Sequence, residues 1–417
     1  MMKKTLYLWV FLVLVLITLT SCSSPVTEGV TTVRLSGWQS NPNEKQLLQQ
    51  VLQQFESQHP NIKVKYETIN DQYMDVIKTR LMGDAAPDIF YLDSLEAPML
   101  MKYGVLEPLN SYIPKGFDIS DFQPSLLKAF QLGGKIYGLP KDFSTLALFY
   151  NKKAFQEAGI RAPKTWEKLR NFSKKLTIDE NRDGRIERYG FGLSPDLSRQ
   201  YFMMTAFGGK LIDQKGYAAF ANPNNLKGLQ LIIDQYRQDK TVAQPSDVGV
   251  SSGSEMFGQG KAAMVLEGSW AIPYLKDTFP KLEFATAEVP KVNGKKRTMA
   301  YTVAYVMNKK TKHKDAAWQV MSYLTGKEGM KAWAKEGLVL PARKSVLEEL
   351  GYAENPLYAP FVAGAAYATI WQAGENLPTV LLHFNNQFIS ALIGQQPLQN
   401  AMLKAQQSAN KEIEAAS

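Results

Sequence analysis

Tryptophan and aspartate residues recur at the ends of predicted strands, where α/β proteins bind their ligands. Trp38 and Trp270 each follow a strand that ends in glycine, and Trp371 lies in a weakly patterned Gly/Ala-rich stretch. Asp93 ends the apolar segment PDIFYLD, and Asp142 follows the segment LPK. Aromatic rings pack against apolar C–H faces, and carboxylates accept strong hydrogen bonds from hydroxyl groups. This combination predicts a site for a neutral polyhydroxy ligand such as a sugar.

Most of these residues also have a structural interpretation. Trp38 and Trp371 could be buried in the core, and Asp142 could pair with Lys141 or cap a turn. The remaining tryptophans of the folded chain lie at helical positions beside apolar neighbours, where core packing is the better explanation: Trp166, Trp318 and Trp333. The sequence thus assigns Trp166, Trp318 and Trp333 to the core and leaves both interpretations open for Trp38, Trp371 and Asp142.

The segment DENRDG follows the opening of a calcium-binding loop. Asp179, Asn181 and Asp183 place oxygen atoms at loop positions 1, 3 and 5, ahead of the glycine that permits a sharp turn. Position 12, a glutamate in a complete EF-hand loop, is Gly190, so Glu187 would have to replace it in part. Neighbouring arginines weaken the prediction. The pattern therefore predicts either a structural calcium site or a tight turn between a helix and a strand.

The amino terminus has the pattern of an export signal. Lys3 and Lys4 precede an unbroken apolar run from Leu6 to Ile17, which is shorter than the roughly 20 residues that cross a membrane. An uncleaved anchor helix is the alternative. The run is followed by Leu-Thr-Ser-Cys, which resembles the lipobox of bacterial lipoproteins. The resemblance implies cleavage before Cys22, the one cysteine of the chain, and its modification by fatty acyl chains such as palmitate.

This interpretation divides the chain into a signal peptide at 1–21, a lipidated tether at 22–31 and a folded remainder. Loss of the signal peptide lowers the net charge from +9 to +7, because it removes two lysines and no acidic residue. The basic residues are scattered and form no arm of the kind that binds nucleic acid. With Cys22 modified, no disulfide is expected.

Length and composition indicate an ordinary globular protein of two domains. The chain has 417 residues, of which 45% are apolar, and single domains are usually smaller than that. Its three histidines, His59, His313 and His383, are far apart. No nucleophile elbow, metal-ligand spacing or phosphate-binding loop appears in the sequence. We therefore expect a binding protein that needs no cofactor, rather than an enzyme.

Strands and helices alternate along the chain. A strand at 32–36 precedes an amphipathic helix, a strand near 62–68, a helix at 73–82 and a strand at 87–93. The apolar residues of the first helix share one face: Leu47, Leu48, Val51, Leu52 and Phe55. Further helices and strands follow in the same manner. Such alternation predicts an α/β fold with mostly parallel sheets.

Five segments in order give the chain a family resemblance: PDIFYLD, YGLPKDFSTLALFYNKKAF, KTWEKL, GKAAMVLEGSWAI and HKDAAWQVMSYLTGKEGMKAWAKEGLVLPAR. The chain resembles the extracellular solute-binding proteins of ABC importers, in the maltose-binding-like group that serves sugars. The resemblance implies a two-lobed type II periplasmic-binding-protein fold, with a mostly parallel sheet flanked by helices in each lobe and a ligand cleft between them. It implies an amino-terminal lobe of 32–140 plus 290–339 and a carboxy-terminal lobe of 141–289 plus 340–417.

The resemblance also implies roles for individual residues. Trp270, in the segment GSW, corresponds to a stacking residue, and Asp93 and Asp142 match positions where relatives hold a carboxylate towards ligand hydroxyls. Tyr301, before the strand TVAYVM, and Arg343, in the segment PAR, are further cleft candidates. Contacts from the segment SPDLSRQYFMM are expected without a choice among its residues.

These features predict the substrate-binding component of an ABC importer, which captures a sugar, oligosaccharide or similar polyol. The predicted partners are the membrane permease and, through Cys22, the membrane itself; the protein is expected to be an exported monomer. Two alternatives remain open: a binder of a glycerol-phosphate-type or other polyol, and a secreted carbohydrate-active enzyme, since glycosidases need two carboxylates.

Overall fold

The structure is a computed structural model of the chain. It describes residues 29–39, 42–180, 183–335, 337 and 339–416. The predicted signal peptide, Cys22 and most of the predicted tether lie outside the described residues, as does Asn181 of the predicted calcium loop. Within the described part of the chain, no helix combines the length and the apolar character needed to cross a bilayer.

The strands, numbered in chain order, are β1 Thr31–Gly37, β2 Ile62–Thr68, β3 Ile89–Asp93, β4 Gln131–Leu132, β5 Lys135–Ile136, β6 Gly138–Thr145, β7 Ala147–Asn151, β8 Phe191–Gly192, β9 Val242–Ala243, β10 Met264–Glu267, β11 Phe284–Ala287, β12 Thr298–Met307, β13 Leu340–Pro341 and β14 Ala368–Ile370.

The α-helices are α1 Pro42–Gln58, α2 Tyr73–Met82, α3 Ala97–Lys102, α4 Pro124–Lys128, α5 Lys152–Glu157, α6 Trp166–Leu176, α7 Leu197–Ala206, α8 Pro223–Arg237, α9 Gly253–Gly258, α10 Ala271–Thr278, α11 Lys314–Leu324, α12 Lys327–Ala334, α13 Lys344–Glu349, α14 Ala359–Ala365, α15 Leu377–Leu392 and α16 Leu398–Ala416. Three short 3₁₀ turns lie at Lys115–Phe117, Ile119–Asp121 and Pro245–Val248.

The first sheet has the strand order β13-β6-β12-β3-β1-β2, with β14 paired to β12. Strand β1 is parallel to β2 and β3, whereas β12 is antiparallel to β3 and β6. Helical connections α1 and α2 make β1, β2 and β3 parallel, but β12 returns from the second sheet and enters in the opposite direction. The sheet is therefore mixed, in contrast to the mostly parallel sheet predicted.

The structure confirms the predicted amphipathic first helix. Leu48, Val51 and Phe55 of α1 are buried and belong to the same apolar cluster as Val33 and Leu35 of β1. Burying one apolar stripe of a helix against the alternating face of a strand is what the two periodicities, 3.6 and 2, allow. This packing fixes the start of the first lobe.

The second sheet has the order β11-β7-β10-β8-β9. Strand β7 is antiparallel to β10 and β11, and β8 is parallel to β10 and β9. This sheet is also mixed, because β7 arrives directly from the first sheet without a helical connection. Part of its apolar core forms a cluster distinct from that of the first sheet. This cluster contains large apolar side chains of α7, α8 and α15.

Strand pairing places the crossings between the lobes later than predicted. Strand β6 stays paired with β12 as far as Thr145, so the chain leaves the first sheet at Leu146 and not at 140. Strand β13 pairs with β6 and β14 pairs with β12, so these strands belong to the first sheet, whereas the predicted boundaries place 340–417 in the other lobe. The last crossing precedes α15, which packs against α7 and α8.

Candidate ligand-binding site

A cavity of about 390 Å³ lies between the two sheets, within the range of roughly 300–1,000 Å³ found for small-molecule sites. Both lobes contribute to its lining. Six of the seven predicted ligand-binding residues line this cavity: Trp38, Asp93, Asp142, Trp270, Tyr301 and Trp371. The structure brings them together from distant parts of the sequence, and their contact with a ligand stays a prediction.

Two carboxylates flank one strand on the first-lobe side of the cavity. Val303 of β12 lies opposite Asp93 of β3 on one side and opposite Asp142 of β6 on the other. Residues that are opposite in a sheet point to the same face, and all three line the cavity. The sheet therefore presents two acceptor groups with one apolar side chain between them.

Asp93 is the last residue of β3 and is held by a local hydrogen bond. The Leu95 N–H donates to its Oδ1 at 2.7 Å. Burial raises the pKa of Asp93 to about 6, the Leu95 hydrogen bond offsets part of this effect, and the nearby charges of Glu96 and Asp142 add to it. At neutral pH the group is an ionised acceptor, and in mild acid it becomes a neutral carboxylic acid.

Asp142 forms a buried ion pair with its chain neighbour Lys141. The indole N–H of Trp333 donates to Asp142 Oδ2 at 3.2 Å, and the Lys141 ammonium lies 4.3 Å from the centroid of the same indole ring and 4.9 Å from that of Tyr91. The structural alternative raised from the sequence, a pair with Lys141, is thus correct. Asp142 nevertheless lines the cavity, so both interpretations apply to one residue.

Arg199 and Glu267 form the corresponding ion pair on the second-lobe side. Arg199 Nη1 donates to Glu267 Oε2 at 2.9 Å, which joins the first turn of α7 to the end of β10. The guanidinium lies 5.3 Å from the Trp270 ring centroid and 5.8 Å from that of Tyr301. We call Arg199 and Trp270, together with the paired Glu267, the second-lobe wall, and Lys141, Asp142 and Asp93 the first-lobe wall; Glu267 does not itself line the cavity.

Gly268, two residues before Trp270, is needed for a steric reason. A Cβ atom on Gly268 would lie 2.2 Å from the Trp270 ring, so the indole can fold back over the backbone only because residue 268 has no side chain. The ring then lies edge-on to Tyr301, with 5.8 Å between centroids. The segment GSW therefore fixes where the second-lobe wall places its aromatic face.

Hydrogen bonds join the lobes beside the cavity. Tyr301 of the first sheet donates from its hydroxyl to the Ser198 carbonyl of α7 at 2.8 Å, and burial raises the pKa of Tyr301. The Ser269 N–H donates to Ser144 Oγ at 2.8 Å. Tyr301 and Ser144 thus connect the two walls as well as lining the space between them.

Trp38 and Trp371 are held in place by different contacts. Trp38 is half-buried and lies edge-on to Tyr73 and Tyr91, at 4.9 and 5.3 Å between centroids. Trp371 is only 4% exposed, and its carbonyl accepts from the Ser94 hydroxyl at 3.1 Å. Trp38 is therefore the more accessible stacking surface, whereas Trp371 offers little of its ring.

A family model for the bacterial extracellular solute-binding proteins matches residues 40–331, more than half of the chain. The chain belongs to this family. A mannitol-binding protein of Pseudomonas aeruginosa is 25% identical over 90% of this solute-binding protein and 92% of its own length. An arabinooligosaccharide-binding protein of Bacillus subtilis is 24% identical over 99% of this chain and 97% of its own length.

A solved structure supports the fold. An ABC substrate-binding protein of Listeria monocytogenes, in complex with cycloalternan, has a TM-score of 0.84 and 23% identity, and the match covers 92% of this chain and 99% of that one. The predicted type II solute-binding fold with two α/β lobes is confirmed. The mixed sheets and the later crossings described above are the details in which it differs from the prediction.

Arg343 does not line the cavity of this solute-binding protein, so the sequence-based assignment is wrong. Its guanidinium is 1% exposed and donates to the carbonyl groups of Thr325 at 2.6 Å, Asp118 at 3.0 Å and Phe117 at 3.1 Å. It also pairs with Asp121 at 3.4 Å. Arg343 ties loops of the first lobe together, because the strand β13 before it joins the outer edge of the first sheet.

The predicted calcium loop has the hydrogen bonds of a tight turn. Asp179 Oδ2 accepts from the Gly184 N–H at 3.1 Å, and Asp183 Oδ1 accepts from the Arg185 N–H at 2.7 Å. Glu187 Oε2 accepts from the Glu180 N–H at 2.9 Å. Among the residues that the structure describes, no group of three or more His, Cys, Asp or Glu could hold a metal ion. Calcium binding at this loop stays a prediction.

Several cavity residues were not predicted. Those with polar side chains are Glu44, Lys141, Ser144, Ser198 and Arg199. Arg199 falls within the segment SPDLSRQYFMM, which was expected to supply a contact, and the position of Asp196 as helix cap places it in the first turn of α7. A capping signal in the sequence could have selected it. For Glu44 the sequence has no comparable signal, because only the fold brings α1 to the cavity.

Proposed function

We propose that this solute-binding protein is the substrate-binding component of an ABC importer and captures a neutral carbohydrate in the cavity between its lobes. The ligand class is a sugar, an oligosaccharide or a similar polyol. One observation carries the proposal: accessible aromatic rings, Trp38 and Trp270, share a cavity with carboxylates, Asp93 and Asp142. Rings suit the C–H faces of a sugar, and carboxylates suit its hydroxyl groups.

The charge arrangement favours a neutral ligand over a glycerol-phosphate-type ligand. The lysine and arginine among the residues lining the cavity are Lys141 and Arg199, and each is paired with a carboxylate. An anionic ligand would have to compete with those carboxylates in a desolvated site. Hydroxyl groups can instead donate to acceptor atoms that the pairs leave available.

The relatives agree with this ligand class. The similar proteins of Pseudomonas aeruginosa and Bacillus subtilis are named for mannitol and for arabinooligosaccharides, and the similar structure from Listeria monocytogenes holds cycloalternan. All three ligands are neutral and rich in hydroxyl groups. Their sizes differ widely, so the relatives support the class of ligand and not one particular sugar.

Binding rather than hydrolysis is the role that the family supports. A glycosidase needs a carboxylic acid and a carboxylate that act on the same bond. Here Asp142 is already paired with Lys141 and accepts a hydrogen bond from Trp333. Such a fixed group is suited to holding a hydroxyl rather than to transferring a proton, and we propose that the ligand leaves the cavity unchanged.

The two-lobed architecture supports delivery of the ligand to a permease. Crossing segments near Leu146 and between β11 and β12 join the lobes, and hinge closure around a ligand is a recognised motion of such folds. Closure would bring the second-lobe wall onto a ligand held by the first-lobe wall. The closed form would then present a loaded surface to the importer's permease.

We further propose that the exported protein is a monomer anchored through a lipidated Cys22. The tether of 22–31 would leave both lobes free to move outside the membrane. Replacing Cys22 with alanine should release the protein from the membrane fraction of cells that produce it. If the variant stays anchored at unchanged length, the lipoprotein assignment fails, while the ligand proposal stands on its own residues.

A thermal-shift screen of the purified protein tests the ligand class. The panel contains monosaccharides, disaccharides, oligosaccharides, mannitol and glycerol phosphates. We expect one or more neutral members to raise Tm with increasing concentration, because a ligand that binds only the folded state stabilises it. Chromatography of the incubated ligand should recover it intact. Stabilisation by glycerol phosphates alone, or consumption of a sugar, would contradict the proposal.

A further inference from the structure

A basic depression of about 640 Å³ lies on the first lobe, away from the ligand cavity. Its lining includes Arg34, Lys65, Lys310 and Lys312, together with two acidic residues, Asp84 and Asp88. We call this surface the basic basin. None of its residues lines the ligand cavity, so the basin has no part in the function proposed above.

Sheet topology places the basin at the edge opposite to the cavity. The parallel strands β1 and β2 begin there, at Thr31 and Ile62, and the antiparallel β12 ends there at Met307. Trp38, by contrast, follows the far end of β1. Seven residues of strand separate the two ends, which corresponds to roughly 20 Å. The basin and the cavity therefore face in opposite directions along the first sheet.

Like charges are placed side by side in the basin. Arg34 of β1 lies opposite Lys65 of β2 in the parallel register, and both residues are exposed. Like charges directly opposite each other in a sheet are destabilising. Among the described residues, neither of them nor Lys312 takes part in an ion pair closer than 4.0 Å. An external anion would relieve this repulsion.

The two acidic residues do not supply that anion. Asp84 is paired with Lys310. Asp88 is buried and accepts from the Arg34 backbone N–H at 2.7 Å and from the Thr311 hydroxyl at 2.5 Å. Asp88 is thus used to connect β1 to the segment after β12. The exposed charge of the basin is positive, from Arg34, Lys65 and Lys312.

We propose that the basic basin binds the anionic headgroups of the membrane surface. The described chain begins at Gly29, beside the start of β1, so a tether from a lipidated Cys22 would arrive at this edge. Each lysine or arginine near an anionic bilayer adds to attraction, and a polybasic surface commonly reinforces an acyl anchor. The inference rests on the proposed export and anchoring, and it places the empty cavity facing away from the bilayer.

Vesicle sedimentation tests this surface. Residues 23–417, which contain both sheets and every described helix, are incubated with vesicles of phosphatidylcholine alone or with about one-third phosphatidylglycerol. We expect binding to the anionic vesicles only, and weaker binding as salt screens the charges. The double variant Lys65→Glu/Lys312→Glu should bind them at least about tenfold more weakly. This variant should fold, because a glutamate at 65 would face Arg34.

A matched control carries the same charge change elsewhere. Lys227→Glu/Lys404→Glu alters exposed lysines of α8 and α16 in the second lobe, and it should keep most of the vesicle binding. Equal losses in both double variants would show that net charge, and not the basin, is responsible. Binding of free inorganic phosphate that abolishes vesicle binding would make the basin a small-anion site. Both results overturn the proposal, whereas sugar binding by either variant is expected to stay unchanged and reports separately on the cavity.

Discussion

The two walls of the cavity are built from the same parts but are held differently. Each has a cation paired with a carboxylate beside an aromatic ring: Lys141 and Asp142 with Trp333, and Arg199 and Glu267 with Trp270. In the first-lobe wall the charged pair is adjacent in one buried strand. In the second-lobe wall it connects a helix to the end of a strand.

This difference indicates that the two walls have different roles in ligand binding. Three of the four paired side chains are deeply buried, with exposures of 5% for Lys141, 6% for Asp142 and 3% for Glu267, whereas Arg199 is 18% exposed. Trp333 is buried under its pair, whereas Trp270 is only partly buried and faces the cavity. The first wall therefore acts as a fixed set of acceptors, and the second supplies the aromatic surface that meets the ligand.

Asp142→Ala, in the first-lobe wall, should have the largest effect on the stability of the protein. It leaves the Lys141 ammonium and the Trp333 indole N–H without their acceptor in a buried site. Breaking a buried ion pair in this way costs about 3–5 kcal/mol. Urea unfolding should show a loss of at least about 3 kcal/mol in the free energy of unfolding.

Two further variants show whether this loss of stability comes from the broken ion pair. Lys141→Met/Asp142→Leu removes both charges and should recover most of the stability. Glu267→Ala, the equivalent change in the second wall, should cost less than Asp142→Ala, because Arg199 can gain some hydration. Equal losses for Asp142→Ala and Glu267→Ala would remove the distinction between the walls.

Trp270→Ala, in the second-lobe wall, should weaken ligand binding without lowering the stability of the protein. Loss of a central aromatic contact typically costs about 2 kcal/mol of binding, so the affinity for the best sugar should fall roughly thirtyfold. Calorimetric titration measures the change. Trp318→Ala is the matched control, since Trp318 is also half-buried and lies outside the cavity. An unchanged affinity for Trp270→Ala would exclude the ring from the site.

Asp93 should make binding depend on pH. Its pKa is about 6 in the empty protein, above the ordinary 3.8, so Asp93 favours the folded state below about pH 4 and this contribution is lost as pH rises through about 6. A ligand hydroxyl that donates to the ionised group binds best above pH 6. Affinity should therefore fall roughly tenfold between about pH 7 and pH 5.

The variant Asp93→Asn serves as the control for this pH dependence, because it cannot ionise. Its affinity should be lower at neutral pH and nearly constant over the same range. A wild-type affinity that does not change with pH would show that the Asp93 carboxylate makes no contact with the ligand.

Calcium should have the smallest effect, because the loop at 179–190 lies outside both walls. Its described carboxylates already accept N–H groups of the loop. We expect excess calcium to change Tm by less than about 1 °C relative to chelator. A larger, saturable increase would establish the calcium site that the sequence pattern suggests.

Local patterns in the sequence were enough to predict the fold class and much of the cavity. Trp38, Asp93 and Trp270 are adjacent to strand ends that apolar runs and glycines mark. The carboxyl ends of neighbouring parallel strands meet at one edge of a sheet, so such residues can be grouped without a structure. Asp142 is different, because it lies within β6, which continues past it to Thr145; its candidacy came from the family resemblance and not from a strand end.

Long-range pairing is what the sequence could not supply. Arg343 follows a short strand whose partner is β6, and nothing near it in the sequence indicates that its guanidinium turns towards the carbonyl groups of distant loops. The direction of β12 and the place of β14 depend in the same way on pairings between distant segments. A local capping signal marks the helix that carries Arg199, but the pairing of Arg199 with Glu267 on another element could not be predicted from the sequence.

A calorimetric titration of the best sugar from the thermal-shift screen decides whether the ligand lies between the two walls. It compares the wild type with Asp93→Asn, Trp270→Ala and the double variant, which carries one change in each wall. We predict one binding site per chain, weaker binding in each single variant and no measurable binding in the double variant. Wild-type affinity in the double variant would contradict the claim that the ligand lies between the two walls.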